Sequence, residues 1–156
     1  MVRSKGEIKM PKIGHVHLKV SDLEESMRFY TGIFKLKISE RVENFVFLSF
    51  GKEHHDLALQ EHKNAQRPSE NMTGLYHFAV ELENLKELAK IYFRLRKSRI
   101  ECSPVEHGIS KAIYLEDPDG NGIEIYVDTR KQSGKKKWHG MSRFISEEEF
   151  NGYAKN

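Results

Sequence analysis

The 156-residue chain, 38% hydrophobic and 31% charged, has the size of one domain, with either one core or two half-size sheets that share one. No apolar run approaches the roughly 20 residues of a membrane span, Met1 to Met10 hold Arg3, Lys5, Glu7 and Lys9 without the apolar stretch of a leader, and Cys102 is the sole cysteine; a cytoplasmic chain without an internal disulfide or membrane partner is expected. The formal net charge of +3 is small, and the basic run Arg130, Lys131, Lys135, Lys136 and Lys137 reads as a solvated tail, so no nucleic-acid partner is expected.

In chain order, the first periodic segment is His15 to Val20. Val16, Leu18 and Val20 face one way and His15, His17 and Lys19 the other, which is a strand with one polar face. Ser21 followed by Glu24 gives a capping-box signal, and Leu23, Met27, Tyr30 and Phe34 recur at helical spacing, predicting a helix from about Asp22 to Phe34. Lys37 to Arg41, Glu43 to Phe50 and Asp56 to Glu61 read as strands, with Gly51-Lys52-Glu53 as a turn. A polar stretch from His62 to Thr73, with Lys63, Asn64, Gln66, Arg67, Pro68 and Ser69, reads as a linker.

The order then repeats. His15-Val16-His17-Leu18-Lys19-Val20-Ser21-Asp22-Leu23 aligns without a gap on His77-Phe78-Ala79-Val80-Glu81-Leu82-Glu83-Asn84-Leu85, 62 positions later, and the same offset pairs Tyr30 with Tyr92 and Ile38 with Ile100. Strand Phe78–Leu82 is followed by helical Leu85, Leu88, Tyr92 and Leu95, then by strands at Ile100 to Ser103, Ser110 to Glu116 and Gly122 to Val127; Asp117-Pro118-Asp119-Gly120-Asn121-Gly122 is a dense turn signal. The expected fold is α+β, two tandem βαβββ modules (residues 12–62 and 74–128) forming a cup-shaped mixed sheet. Residues 129–156 fall outside the repeat as a basic extension, in which Ser146-Glu147-Glu148-Glu149-Phe150 opens a short helix.

The polar faces carry the chemistry. His15 and His77 occupy equivalent repeat positions, and in the last strand Glu124 lies opposite the apolar Ile123, Ile125 and Val127. Two imidazoles and one carboxylate from different strands can hold a divalent cation on one face and leave positions open for other ligands, which suits Fe2+ or Mn2+. Each histidine alone reads better as a hydrogen-bonding partner within its sheet; recurrence at the offset favours the metal.

His15 through Tyr30, Gly74 to Ala79 and Asp117 to Glu124 together resemble the vicinal-oxygen-chelate superfamily of glyoxalases, extradiol dioxygenases and fosfomycin and bleomycin resistance proteins, over about Lys12 to Asp128. The resemblance implies metal ligands at His15, His77 and Glu124. His54-His55-Asp56-Leu57-Ala58-Leu59 and His107 to Tyr114 look most like the catechol 2,3-dioxygenase type. That likeness implies a proton-handling His55, a catecholate-binding Tyr114, a substrate-side His107, an iron cofactor and a small-molecule substrate. Strand parity from Gln60 would instead turn His54 and Asp56 inward, so His54 and His55 both stay candidates. The same resemblance allows a glyoxalase-like isomerase or lyase with zinc or nickel and Gln60 as a fourth ligand, or a ligand-sequestering resistance protein. It also implies a homodimer, with sites completed across the subunit interface.

Overall fold

The computed structural model describes residues 11–67, 69 and 71–155; the leader reading on Met1 to Met10 and the linker residue Pro68 lie outside them. The element order follows the repeat. The first half is β1 (Val16–Val20), α1 (Leu23–Phe34), β2 (Lys37–Val42), β3 (Phe45–Ser49) and β4 (Leu57–Glu61). The second is β5 (Phe78–Glu81), α2 (Leu85–Lys97), β6 (Ser103–Glu106), β7 (Ser110–Glu116) and β8 (Gly122–Asp128). The α+β class and both βαβββ halves are as expected, and the helices start at positions related by the offset of 62.

Two local expectations fail for identifiable reasons. The cap of α1 is Asp22, not Ser21: its carboxylate accepts from Glu25 N at 2.8 Å, while Ser21 N donates to Asp119 of the other half. Asn84 does the same for α2, accepting from Glu87 N at 3.0 Å. The strand expected at Ile100 begins instead at Ser103. Arg99 turns into the left-handed region at φ 57, and Ile100 N donates back to Leu95 O at 3.0 Å, so that N–H closes the helix and cannot enter a ladder.

The strands form two mixed sheets, ordered β1-β4-β3-β2 and β5-β8-β7-β6-β9, the last being Arg143–Phe144 of the extension. Within each half the first and last strands are parallel, Val16 opposite Leu57 and Phe78 opposite Ile123. β1 and β5 are therefore both outer strands. One face of each sheet packs on its helix: Leu18, Val20, Val46, Leu48 and Leu59 against Leu23, Tyr30 and Ile33, and Ile113, Ile123 and Ile125 against Leu88, Tyr92 and Leu95. Each fully buried large side chain of this kind stabilises the fold by roughly 1.5–3 kcal/mol. The opposite faces carry the polar residues.

The halves clasp each other through the β7–β8 turn. Asp117 is 3% exposed and accepts from Asp119 N at 3.0 Å, Asn121 N at 2.8 Å, Asn121 Nδ2 at 2.9 Å and, from the other half, Tyr30 Oη at 2.7 Å. Burial, then the Asp117 charge and hydrogen bond, push the Tyr30 hydroxyl well above its usual pKa, so it stays a donor. A Cβ on Gly122 would stand 2.1 Å from the Tyr76 carbonyl, so only glycine lets the strand after this turn pass His77's segment.

The extension folds onto the second half. After α3 (Arg130–Ser133), β9 (Arg143–Phe144) adds to β6 and α4 (Glu147–Lys155) packs on α2, where Phe150 stacks on Tyr92 with centroids 4.0 Å apart. Lys135, Lys136 and Lys137 are exposed, as expected for a solvated run. No helix among the described residues is long and apolar enough to cross a membrane.

Candidate metal and substrate site

Strand parity aligns Ala79, Glu124, Tyr114 and Ser103 across the open face of the second sheet, since they are direct register partners. His77 precedes β5 on that side. Its Nε2 lies 3.1 Å from Glu124 Oε2, Glu124 Oε1 accepts from Tyr114 Oη at 2.8 Å, and Tyr114 Oη is 2.9 Å from His107 Nε2. Three of the residues singled out from the sequence thus join His77 in one bonded row. Burial, followed by the hydrogen bond to and charge of Glu124, raises the Tyr114 pKa far above the tyrosine range.

The first sheet holds the other candidates. His15 packs against His55 with ring centroids 4.5 Å apart, and His55 against Phe47 at 5.0 Å. His55 lies in the irregular segment before β4, which starts at Leu57, so strand parity does not govern it. His54 Nε2 instead contacts Glu40 Oε2 at 3.2 Å. Burial, then the neighbouring His15 and His54, lower the His55 pKa and favour the neutral imidazole. Gln60 is the register partner of Lys19 and of Phe45, on the face that carries His17 and Phe47.

His15 and His77 border one cavity of about 960 Å³, walled by apolar groups including Tyr30, Phe34, Phe78 and Val80. A second cavity of about 530 Å³ reaches His77 and Tyr114 from the side of Cys102. Among the described residues no three His, Cys, Asp or Glu side chains come together as a metal group within the chain. The expected triad is therefore divided between the sheets, with His77 and Glu124 together and His15 beside His55.

The pair that does meet fits a cation. Bonds of about 2.1 Å at right angles put two ligating atoms about 3.0 Å apart, close to the 3.1 Å between His77 Nε2 and Glu124 Oε2. His77 Nδ1 is buried with no partner among the described residues. Two further residues of the neighbourhood come from outside the repeat and were not singled out from the sequence. Ser142 Oγ lies 2.7 Å from His107 Nδ1, and the Trp138 ring stands edge-on to His107 at 6.1 Å. No periodicity marks them, because they lie between α3 and β9.

Comparison with known proteins agrees with this architecture. The chain is 34% identical over 129 residues to a catechol-2,3-dioxygenase of Bacillus subtilis, covering 82% of the chain and 45% of that protein. It is 31% identical over 120 residues to biphenyl-2,3-diol 1,2-dioxygenase 2 of Rhodococcus globerulus, covering 76% and 63%. The chain thus spans about half to two thirds of the length of these relatives. A lactoylglutathione lyase of Salmonella typhimurium is 30% identical over 122 residues, covering 71% and 88%. Among solved structures, a glyoxylase/bleomycin resistance protein/dioxygenase domain from Frankia sp. superposes with a TM-score of 0.68 at 24% identity, covering 77% of this chain and 99% of that one. Residues 12–125 match a single family, and the chain belongs to it: the Glyoxalase/Bleomycin resistance protein/Dioxygenase superfamily.

Proposed function

We propose that the chain is a metal-dependent, extradiol-type ring-cleaving dioxygenase of catechol-like substrates, with Fe2+ as its metal. The observation that carries this reading is the bonded row His77–Glu124–Tyr114–His107, which sets a phenol and an imidazole beside a carboxylate–imidazole pair. The likeness to catechol- and biphenyldiol-cleaving relatives supports it. His77 and Glu124 would hold the metal, with His15 as the third ligand. When bound, the metal would chelate the two adjacent oxygens of the substrate and make their protons more acidic.

The remaining work belongs to the side chains. Tyr114, whose hydroxyl donates to Glu124 Oε1, meets a substrate hydroxyl as an acceptor and orients it. His107 stands behind Tyr114 and fixes the phenol's direction. His55, kept neutral, takes a proton from the incoming hydroxyl and returns one later.

Because the ligands are divided between two sheets, a second copy completes the site in this reading: the first sheet of one protomer faces the second sheet of its partner. The outer positions of β1 and β5 leave these edges unpaired by each other. The exposed Ile38, Val42 and Phe50 of the first half and Phe144 of the extension supply apolar contact. The test is dioxygen uptake with catechol and 2,3-dihydroxybiphenyl by anaerobically iron-loaded protein, expected to yield a yellow ring-opened product. Turnover of the methylglyoxal–glutathione hemithioacetal with zinc or nickel, and no oxygen uptake, would replace this reading with the lyase one.

A further inference from the structure

The hydrogen-bond row has a direction that can be worked out from donors and acceptors. Tyr114 has one hydroxyl proton, and it goes to Glu124 Oε1 at 2.8 Å. The 2.9 Å contact between Tyr114 Oη and His107 Nε2 must then be donated by the imidazole, so Nε2 carries hydrogen. In the neutral ring Nδ1 is then an acceptor, and Ser142 Oγ, 2.7 Å away, is the hydroxyl that donates to it. Ser142 lies beyond residue 125, where the family match ends.

A serine on a free tail would hold this bond poorly against water, but Ser142 is fixed on both sides. Arg143, the next residue and the first of β9, pairs in register with Glu106 of β6, and its guanidinium bonds Glu149 at 2.8 and 2.9 Å and also Glu106. Ile145 and Phe150, both fully buried, anchor the chain beyond Arg143 in the core. On the other side Trp138 Nε1 donates to Met141 O at 3.2 Å, closing the loop, and the ring abuts His107. The stem of Lys135 lies over Gly108, with Cδ 3.3 Å from where a Cβ there would stand. The strap from Lys135 to Ser142 is thus seated on the turn that carries His107.

We propose that Ser142 is a positioning residue: its hydroxyl locks His107 as the Nε2–H tautomer that turns the Tyr114 hydroxyl proton to Glu124 and leaves the second lone pair of that oxygen to the substrate, with Trp138 closing the outer side of the imidazole. For its substrate this rests on the ring-cleavage reading. The extension outside the repeat thereby becomes part of the substrate site, and the Tyr114 hydroxyl acquires one fixed orientation.

The test uses the full chain with zinc, which is diamagnetic, as wild type, Ser142→Ala and Ser142→Thr. Nitrogen NMR of histidine-labelled protein reads which ring nitrogen of His107 bears hydrogen. Quenching of Trp138, the only tryptophan, reads binding of 4-nitrocatechol. Wild type and Ser142→Thr should show protonated Nε2 and bare Nδ1; Ser142→Ala should show mixed tautomers and about fivefold weaker 4-nitrocatechol binding, the scale of one lost hydrogen bond. An unchanged nitrogen pattern with affinity within about twofold in Ser142→Ala, or a Ser142→Thr protein that behaves as the alanine variant does, overturns the proposal. Failure of wild type to bind 4-nitrocatechol overturns its substrate clause and the ring-cleavage reading together, while the nitrogen pattern still decides the role of Ser142.

Discussion

At the scale of single residues, the turn motif before Glu124 joins the two halves as well as reversing the chain. Asp117-Pro118-Asp119-Gly120-Asn121-Gly122 leads into Glu124, and its two carboxylates hold the halves together through Tyr30, Ser21 and Ser26. Tyr30→Phe removes one of four donors to a buried carboxylate. It should lower unfolding free energy by about 1–2 kcal/mol, measured by urea denaturation, with metal content unchanged. A loss below the measurement error would show that Asp117 is satisfied by its own turn alone. The residues facing the site were readable in part. The offset of 62 picks out His15 and His77, and alternation picks out Glu124, because both depend on strand parity. Whether His54 or His55 turns toward His15 was not readable, since both lie where the chain leaves the strand pattern and both rings touch Phe47; the contact of His54 with Glu40 on β2 is what separates them.

At the scale of elements, the repeat made both helices and most strands legible, because buried residues recur with the periods of helix and strand. It placed the sixth strand too early. Ile100 is apolar and fits the offset from Ile38, but the C-terminal closure of α2 takes its N–H. The extension was hardest to read: its docking rests on single contacts such as Phe150 on Tyr92, which leave no periodicity. One electrostatic contact there makes a pH-dependent expectation. The Arg143 guanidinium, with the Ser146 N–H and the Tyr153 hydroxyl, holds Glu149 at a pKa of about 2, below the usual 4.5. A depressed carboxylate stabilises fully above its unfolded pKa, and this stabilisation is lost as pH falls from about 4.5 toward about 2. Both groups are partly exposed, so solvent screens the effect and it is small. Glu149→Gln should melt a little below wild type at pH 6, with the difference shrinking to nothing near pH 2. A difference that does not change with pH would assign Glu149 a packing role only.

At the scale of the whole molecule, the division of candidate ligands between two sheets has a consequence for assembly. If the first sheet of one protomer faces the second sheet of its partner, His15→Ala and His77→Ala are each defective alone but complement each other when mixed. Each mixed dimer then has one intact site and one doubly damaged site. With free exchange, half the dimers are mixed, so metal binding should recover to about a quarter of the wild-type level. No recovery after exchange, with mixed dimers demonstrated by mass, would place both ligands of each site in one chain. The large exposed apolar residues Val42 and Phe50 of the first half and Phe144 of the extension are then buried between copies.

That His77, Glu124 and His15 hold one divalent cation is tested by anaerobic Fe2+ titration calorimetry on wild type and His77→Ala, with melting curves to establish that both are folded. One cation per chain in the wild type, and at least a tenfold weaker association in folded His77→Ala, the scale of losing one ligand, is the expected result. Equal stoichiometry and affinity in the two proteins would remove His77 from the metal site and with it the reading built on that site.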